Sequence, residues 1–300
     1  MIAKTRSIKL NLWIVALLLP ASSLFAQKIR LDERSTFGPS VTEHYDVMVV
    51  AWTGTDGRIN IMQSRDGIDW GSKIRLDEQS NHPPVIASDG DYLYLAWTGR
   101  SDNKLNVIQS RDGIDWGSKI RLDEESDLEP GLAVVDRRVY MVWRGRRDQR
   151  INVIQSRDGI DWHSKVRLEE TTSDRPAIAS HQGRLYIAWA GLGNPKLNII
   201  RSRDGIDWGS KVRLDEESHD GPGLGSFDGR LYLAWVGLND QKLNVMRSDR
   251  GVDWRSKVRL DETSEKSPTL SAGRRGLYLA WIGRIDRNLN IIRSPDGIDF

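Results

Sequence analysis

No cysteine occurs in the 300 residues, which excludes disulfides, thiolate metal sites and a lipidated N-terminal cysteine. Long hydrophobic runs are missing too. The apolar stretch from Leu10 to Pro20 is only about 11 residues, well short of the ~20 that a membrane-spanning helix needs. No segment sustains a 3.6-residue apolar period, so helix is poorly supported. Neither sign of charge dominates, with 44 Lys and Arg against 42 Asp and Glu.

The first 26 residues read as an export signal rather than as part of a fold. Lys4, Arg6 and Lys9 make a basic start, the short apolar stretch follows, and Ala21 to Ala26 is a small-residue exit of the kind a signal peptidase cuts. Cleavage is expected between Ala26 and Gln27, giving a secreted or periplasmic protein of residues 27–300. That leader carries three bases and no acids, so the remainder holds 41 bases against 42 acids. No basic stripe is left to argue for nucleic acid, and membrane insertion is not expected. An exported chain without disulfides draws its stability from a large packed core, which this length permits.

What is present is a repeat. Ser64-Arg-Asp-Gly-Ile-Asp-Trp70 returns at Ser110, Ser156 and Ser202, with weaker copies at Ser248 and Ser294, at steps of 46 residues. Trp52, Trp97, Trp143, Trp189, Trp235 and Trp281 keep the same period, apart from one residue missing between Trp52 and Ser64. Each unit reads as four short strands separated by Asp-Gly and other turn signals, the size of a propeller blade. The fold class expected is therefore all-β, a six-bladed β-propeller of four-stranded antiparallel blades. The chain starts with Lys28-Ile-Arg-Leu-Asp-Glu33, which in other copies is a fourth strand, and stops at Phe300 where the sixth copy needs one. Residues 28–33 are thus expected to complete the last blade and close the ring, leaving no unpaired edge.

The Ser-x-Asp-Gly-x-x-Trp turn, once per unit, resembles the Asp-box (BNR) repeat of sialidases and related six-bladed propellers. Two departures stand out. The usual box is one residue longer, and Arg250 replaces the box aspartate in the fifth copy. The physical role expected for Asp66, Asp112, Asp158, Asp204 and Asp296 is structural: a short carboxylate accepts backbone N–H bonds in a tight turn, and glycine supplies the positive φ. A calcium site would need six to eight oxygens, so neither a metal nor any other cofactor is expected. The resemblance implies that the boxes lie on the face away from the ligand site. It also implies that a sialidase would use three arginines, a Tyr–Glu pair and an Asp acid. Such sets break sixfold symmetry on unequal loops, whereas here the copies differ in length by one residue in total. Equal loops argue for equal sites, and for binding rather than catalysis.

The ligand face is expected to carry the connections between blades and the hairpins after each Trp. Trp52, Trp97, Trp143, Trp189, Trp235 and Trp281 point toward it, either as sugar-stacking rings or as core. Arg100, Arg144, Arg146 and Arg175 form an arc of guanidinium groups from the second to the fourth blade, either a site for an acidic sugar or a solvated rim. Together these features predict a secreted, lectin-like propeller with glycans as partners and several equivalent sites. An exo-sialidase or other glycoside hydrolase is the first alternative, and an extracellular protein-binding scaffold the second.

Overall fold

A computed structural model of the protein describes residues 26–300; the expected leader, apart from Ala26, lies outside the described residues. These residues form six four-stranded antiparallel sheets. Each innermost strand touches the innermost strand of the next blade, and the sixth touches the first. The last blade is completed by Gln27–Arg34, which pairs with Asn288–Ser294 in the register Lys28↔Ile292. The ring is a closed six-bladed β-propeller, and its N-terminal strand closes it as the repeat predicts.

Each blade is built to be covered on both sides. Leu93–Thr98, the second strand of the second blade, is buried at every residue. Its side chains meet the first blade on one face and the third on the other, so the core is a set of seams between blades. Trp97, for example, packs with Val49, Ile59 and Ile61 of the preceding blade. The outermost strands alternate exposed and half-buried residues, as in Gly117–Glu125. Near its end each outermost strand carries extra residues opposite its partner: Asn60 faces Arg75 while Arg58 faces Gln79. Such a bulge re-aims side chains, and here it turns Glu78 toward the next blade, where Lys119 binds it.

The turns that join third and fourth strands behave as their composition requires. Asp66 Oδ1 accepts the backbone N–H groups of Ile68 and Asp69 at 2.8 and 2.9 Å, and Ser64 Oγ donates to the same oxygen at 2.9 Å. Gly67 takes φ +76°, and the Trp70 indole N–H donates to its carbonyl. These backbone bonds hold the Asp66 carboxyl below its usual range, and the same holds for Asp112, Asp158 and Asp204. In the fifth copy, where Arg250 stands instead, Gly251 still donates to Ser248 Oγ, but the buried Trp254 indole N–H has no acceptor. The recurring tyrosines lock adjacent blades. Tyr140 Cδ1 lies 2.8 Å from where a Cβ on Gly205 would sit, and the Tyr94, Tyr186 and Tyr232 rings crowd the next blade's turn glycine likewise.

Candidate functional site

On the face opposite those turns, the six loops that lead from one blade into the next converge on the axis. They span 35–39, 80–84, 126–130, 172–176, 218–222 and 264–268. Each starts with a fully buried Ser or Thr. In five of them that hydroxyl oxygen accepts the N–H two residues on, as Ser80 does from His82, Ser35 from Phe37 and Thr172 from Asp174. Each ends with a proline that leads into the innermost strand. Between these fixed points lie three residues, and the pair nearest the proline is different in each copy: Phe37-Gly38, His82-Pro83, Leu128-Glu129, Asp174-Arg175, Asp220-Gly221 and Lys266-Ser267. The sixfold frame thus carries an asymmetric mouth.

That mouth is a pocket of about 150 Å³. Beneath it the innermost strands surround a channel of about 230 Å³, and Arg175 lines both. The Arg175 side chain is buried. Its Nε lies 2.9 Å from Glu129 Oε1, and its Nη2 donates across the mouth to the Pro268 carbonyl at 2.9 Å. Glycine at 221 makes room for it, since a Cβ there would stand 2.8 Å from Arg175 Cγ. Burial pushes the Glu129 carboxyl up to about 7, against the pull of Arg175. Burial, and then the Asp174 charge, push Asp220 up to about 6. His82 is held below its usual value by burial.

A second kind of recess lies farther from the axis, at the seams. Each outermost strand places a lysine over the tryptophan of its own blade, with Nζ 5.3–5.6 Å from the ring centroid. The same ammonium binds the bulge glutamate of the preceding blade at 2.5–2.7 Å. This Trp–Lys–Glu set occurs at all six seams. Between the first and second blades it borders an open cleft of about 510 Å³ with Arg100, Asp102 and Arg121. Between the second and third, the corresponding cleft of about 390 Å³ has Arg146, Asp148 and Arg167. In both, a guanidinium donates to the facing carboxylate at 2.7–2.8 Å.

The expected site residues do not gather in one place. Trp52, Trp97, Trp143, Trp189, Trp235 and Trp281 are 0–1 % exposed. They are core residues, and the reading of them as open stacking rings is corrected: the neighbouring blade encloses the indole and a lysine covers its outward side. Arg100 faces one cleft, where its contacts to the Asp56 carbonyl and Gln79 Oε1 are long, at 3.3 Å. Arg146 faces the next cleft, 3.7 Å from Glu125. Arg144 is largely buried and tied to Asp127 and the Ser173 carbonyl at 2.8 Å. Arg175 is the floor of the axial mouth. The four guanidinium groups therefore stand in four separate environments and form no single arc.

Sequence reasoning passed over Phe37, His82, Leu128, Asp174, Asp220 and Lys266, which line the mouth. The signal was available. Aligned on the shared proline, this position holds five residue types in six otherwise similar copies. The inference from equal loops to equal sites fails here, because substitution alone makes an unequal site without changing any loop's length.

No protein-family model matches the sequence, and no curated protein matches it. Solved structures do share the fold. The Hadza microbial sialidase Hz136 superposes with a TM-score of 0.66 at 15 % identity over 84 % of this chain, which spans 64 % of that one. The SapL1 lectin in complex with alpha methyl fucoside gives a TM-score of 0.63 at 14 % identity, covering 83 % of this chain and 89 % of its own. The BP39L lectin from Burkholderia pseudomallei gives 0.59 at 14 % identity, covering 83 % and 78 %. Structures of this architecture thus include both sialidases and lectins.

Proposed function

We propose that the protein is a secreted, lectin-like propeller that binds glycans in the repeated clefts between its blades. The observation that carries this reading is the recurrence of one Trp–Lys–Glu set at every seam. Beside it, in the first two clefts, stand a carboxylate and guanidinium groups. Such a cleft offers donors and acceptors together, as sugar hydroxyls require. Repetition around a ring adds avidity for a polyvalent surface. The lectins and sialidases among the structural neighbours support a carbohydrate role at the level of the fold.

Acidic sugars are the narrower form of the proposal. Arg100 and Arg146 carry it, because they face open clefts with only long contacts of their own. Export belongs to the same reading, and the N-terminus of the natural protein should be Gln27.

The test is a glycan array probed with residues 27–300, including sialylated, uronic-acid and neutral structures, followed by calorimetry on any hit. Retention with more than one site per chain, reduced by one site in Arg121→Ala, supports the reading. A blank array would leave the scaffold alternative, and release of product from a fluorogenic sialoside would make the protein a hydrolase.

A further inference from the structure

We propose that the axial pocket is a separate binding site for one small organic ammonium compound, with Asp174 and Asp220 receiving the ammonium and the side lined by Phe37 and Leu128 receiving an apolar ring. It is independent of the clefts between blades.

Three observations point this way. The first is asymmetry. Around the mouth the first three loops contribute Phe37, His82 and Leu128, and the next three contribute Asp174, Asp220 and Lys266. One half is aromatic and aliphatic, with the Phe37 and His82 ring centroids 5.9 Å apart, and the other half is charged. A site of this kind suits a ligand that is itself two-sided. The second is size. About 150 Å³ lies below the ~300–1,000 Å³ of pockets for drug-sized molecules, so the ligand is limited to about one ring with a short tail.

The third is the sign of the unmatched charge. Arg175 is consumed by Glu129 and the Pro268 carbonyl. Among the described residues no side chain pairs with Asp174 or Asp220, and the Asp174 carboxylate takes only the Arg175 backbone N–H. Both carboxylates are half-buried, whereas Lys266 stands exposed at the rim. A carboxylate drawn from water without a partner costs free energy, which a charge-assisted bond recovers. An anion in the same place would meet the two unpaired carboxylates Asp174 and Asp220. Ammonium is therefore the group that fits.

The charged groups around Asp220 set how binding responds to pH. They are Asp174, Lys266, Arg175 and His219, with Glu129 and His82 across the mouth. Asp220 takes up its proton near 6 and Glu129 near 7, and each protonation removes negative charge from the pocket. Affinity for a cation should fall as pH drops through this range.

The experiment titrates residues 27–300 with phenethylammonium chloride, and in parallel with the neutral phenethyl alcohol and the anionic phenylacetate, by calorimetry and ligand-detected NMR. The expected result is one site per chain for phenethylammonium, with the other two at least about tenfold weaker. Asp220→Asn should weaken the cation by about tenfold without lowering the urea midpoint, and Arg121→Ala in the cleft should leave it unaffected. Equal binding of all three probes overturns the proposal. So does a cation affinity unmoved by Asp220→Asn, or no saturation by about 10 mM at pH 7.5.

Discussion

Arg175 Nη2 donates to the Pro268 carbonyl at 2.9 Å, joining the loops that enter the fourth and sixth blades across the propeller axis. Its Nε meets Glu129 of a third loop, so one side chain ties three blades at the mouth. Removing one partner of a buried pair leaves an uncompensated charge, which typically costs about 3–5 kcal/mol. Arg175→Ala is expected to lower stability by that order, seen as a reduced urea midpoint. The double variant Arg175→Met with Glu129→Leu should recover most of the loss, because it removes both charges. Equal loss in single and double variants would show that the pair is not what holds the mouth.

Glu129 also shapes the response of stability to pH. Its carboxyl is raised from 4.5 to about 7 in the folded protein, so the folded state holds the proton more tightly than the unfolded chain. The resulting stabilisation is fully present below about 4.5 and is lost as pH rises through 7. Asp220, raised to about 6, acts in the same direction. The turn carboxylates Asp66, Asp112, Asp158, Asp204 and Asp296 act in the opposite one. Their values lie below 3.8, and their contribution is lost as pH falls through that lowered range. Stability should therefore peak at acidic pH, where the turn carboxylates are already ionised and Glu129 and Asp220 still hold their protons. Glu129→Gln should flatten the decline between pH 4.5 and 7, as followed by denaturant unfolding at fixed pH values. An unchanged slope would place the decline elsewhere.

The seam set separates packing from charge. Trp97 is 1 % exposed, and truncating a buried indole to Ala typically costs about 3–5 kcal/mol. The Lys119 side chain is 46 % exposed, so water screens both its ion pair with Glu78 and its contact with the ring. Lys119→Met is expected to change stability by about 1 kcal/mol or less. A double-mutant cycle on Trp97 and Lys119 measures their coupling, and a value of several kcal/mol would contradict this assignment.

The two levels of structure were unequally legible in the sequence. The period of 46 and the displaced strand Lys28 to Glu33 are one-dimensional facts, and together they dictate blade number and closure. The fate of the six tryptophans was not legible. A strand such as Leu93–Thr98 is apolar on both faces, and only the arrival of the neighbouring blade decides which ring is covered. Lys119 and Glu78 lie 41 residues apart on strands whose charges read as a solvated edge, and the bulge that joins them leaves no compositional mark. The axial mouth was legible only by difference, as the pair of residues preceding each shared proline. Motif searching favours what recurs, and this site consists of what does not.

The fifth turn offers a gain of stability. In the other five copies a carboxylate accepts two backbone N–H groups and a serine hydroxyl, as Asp112 does from Ile114, Asp115 and Ser110. Arg250 cannot accept, so that turn keeps only the bonds from Ser248, which accepts the N–H groups of Arg250 and Gly251. The interblade bond from the Tyr186 hydroxyl goes to the Arg250 carbonyl and survives any change of side chain. Restoring a carboxylate adds charge-assisted bonds in a solvated turn, where each contributes on the order of 1 kcal/mol. Arg250→Asp is therefore expected to raise stability by about 1–2 kcal/mol, and Asp112→Ala to lower it by a similar amount. Both are read as shifts of the urea midpoint at constant slope. A loss of stability in Arg250→Asp would mean that the arginine side chain has a role of its own at this seam, and that the fifth blade departs from the repeat for a reason other than drift.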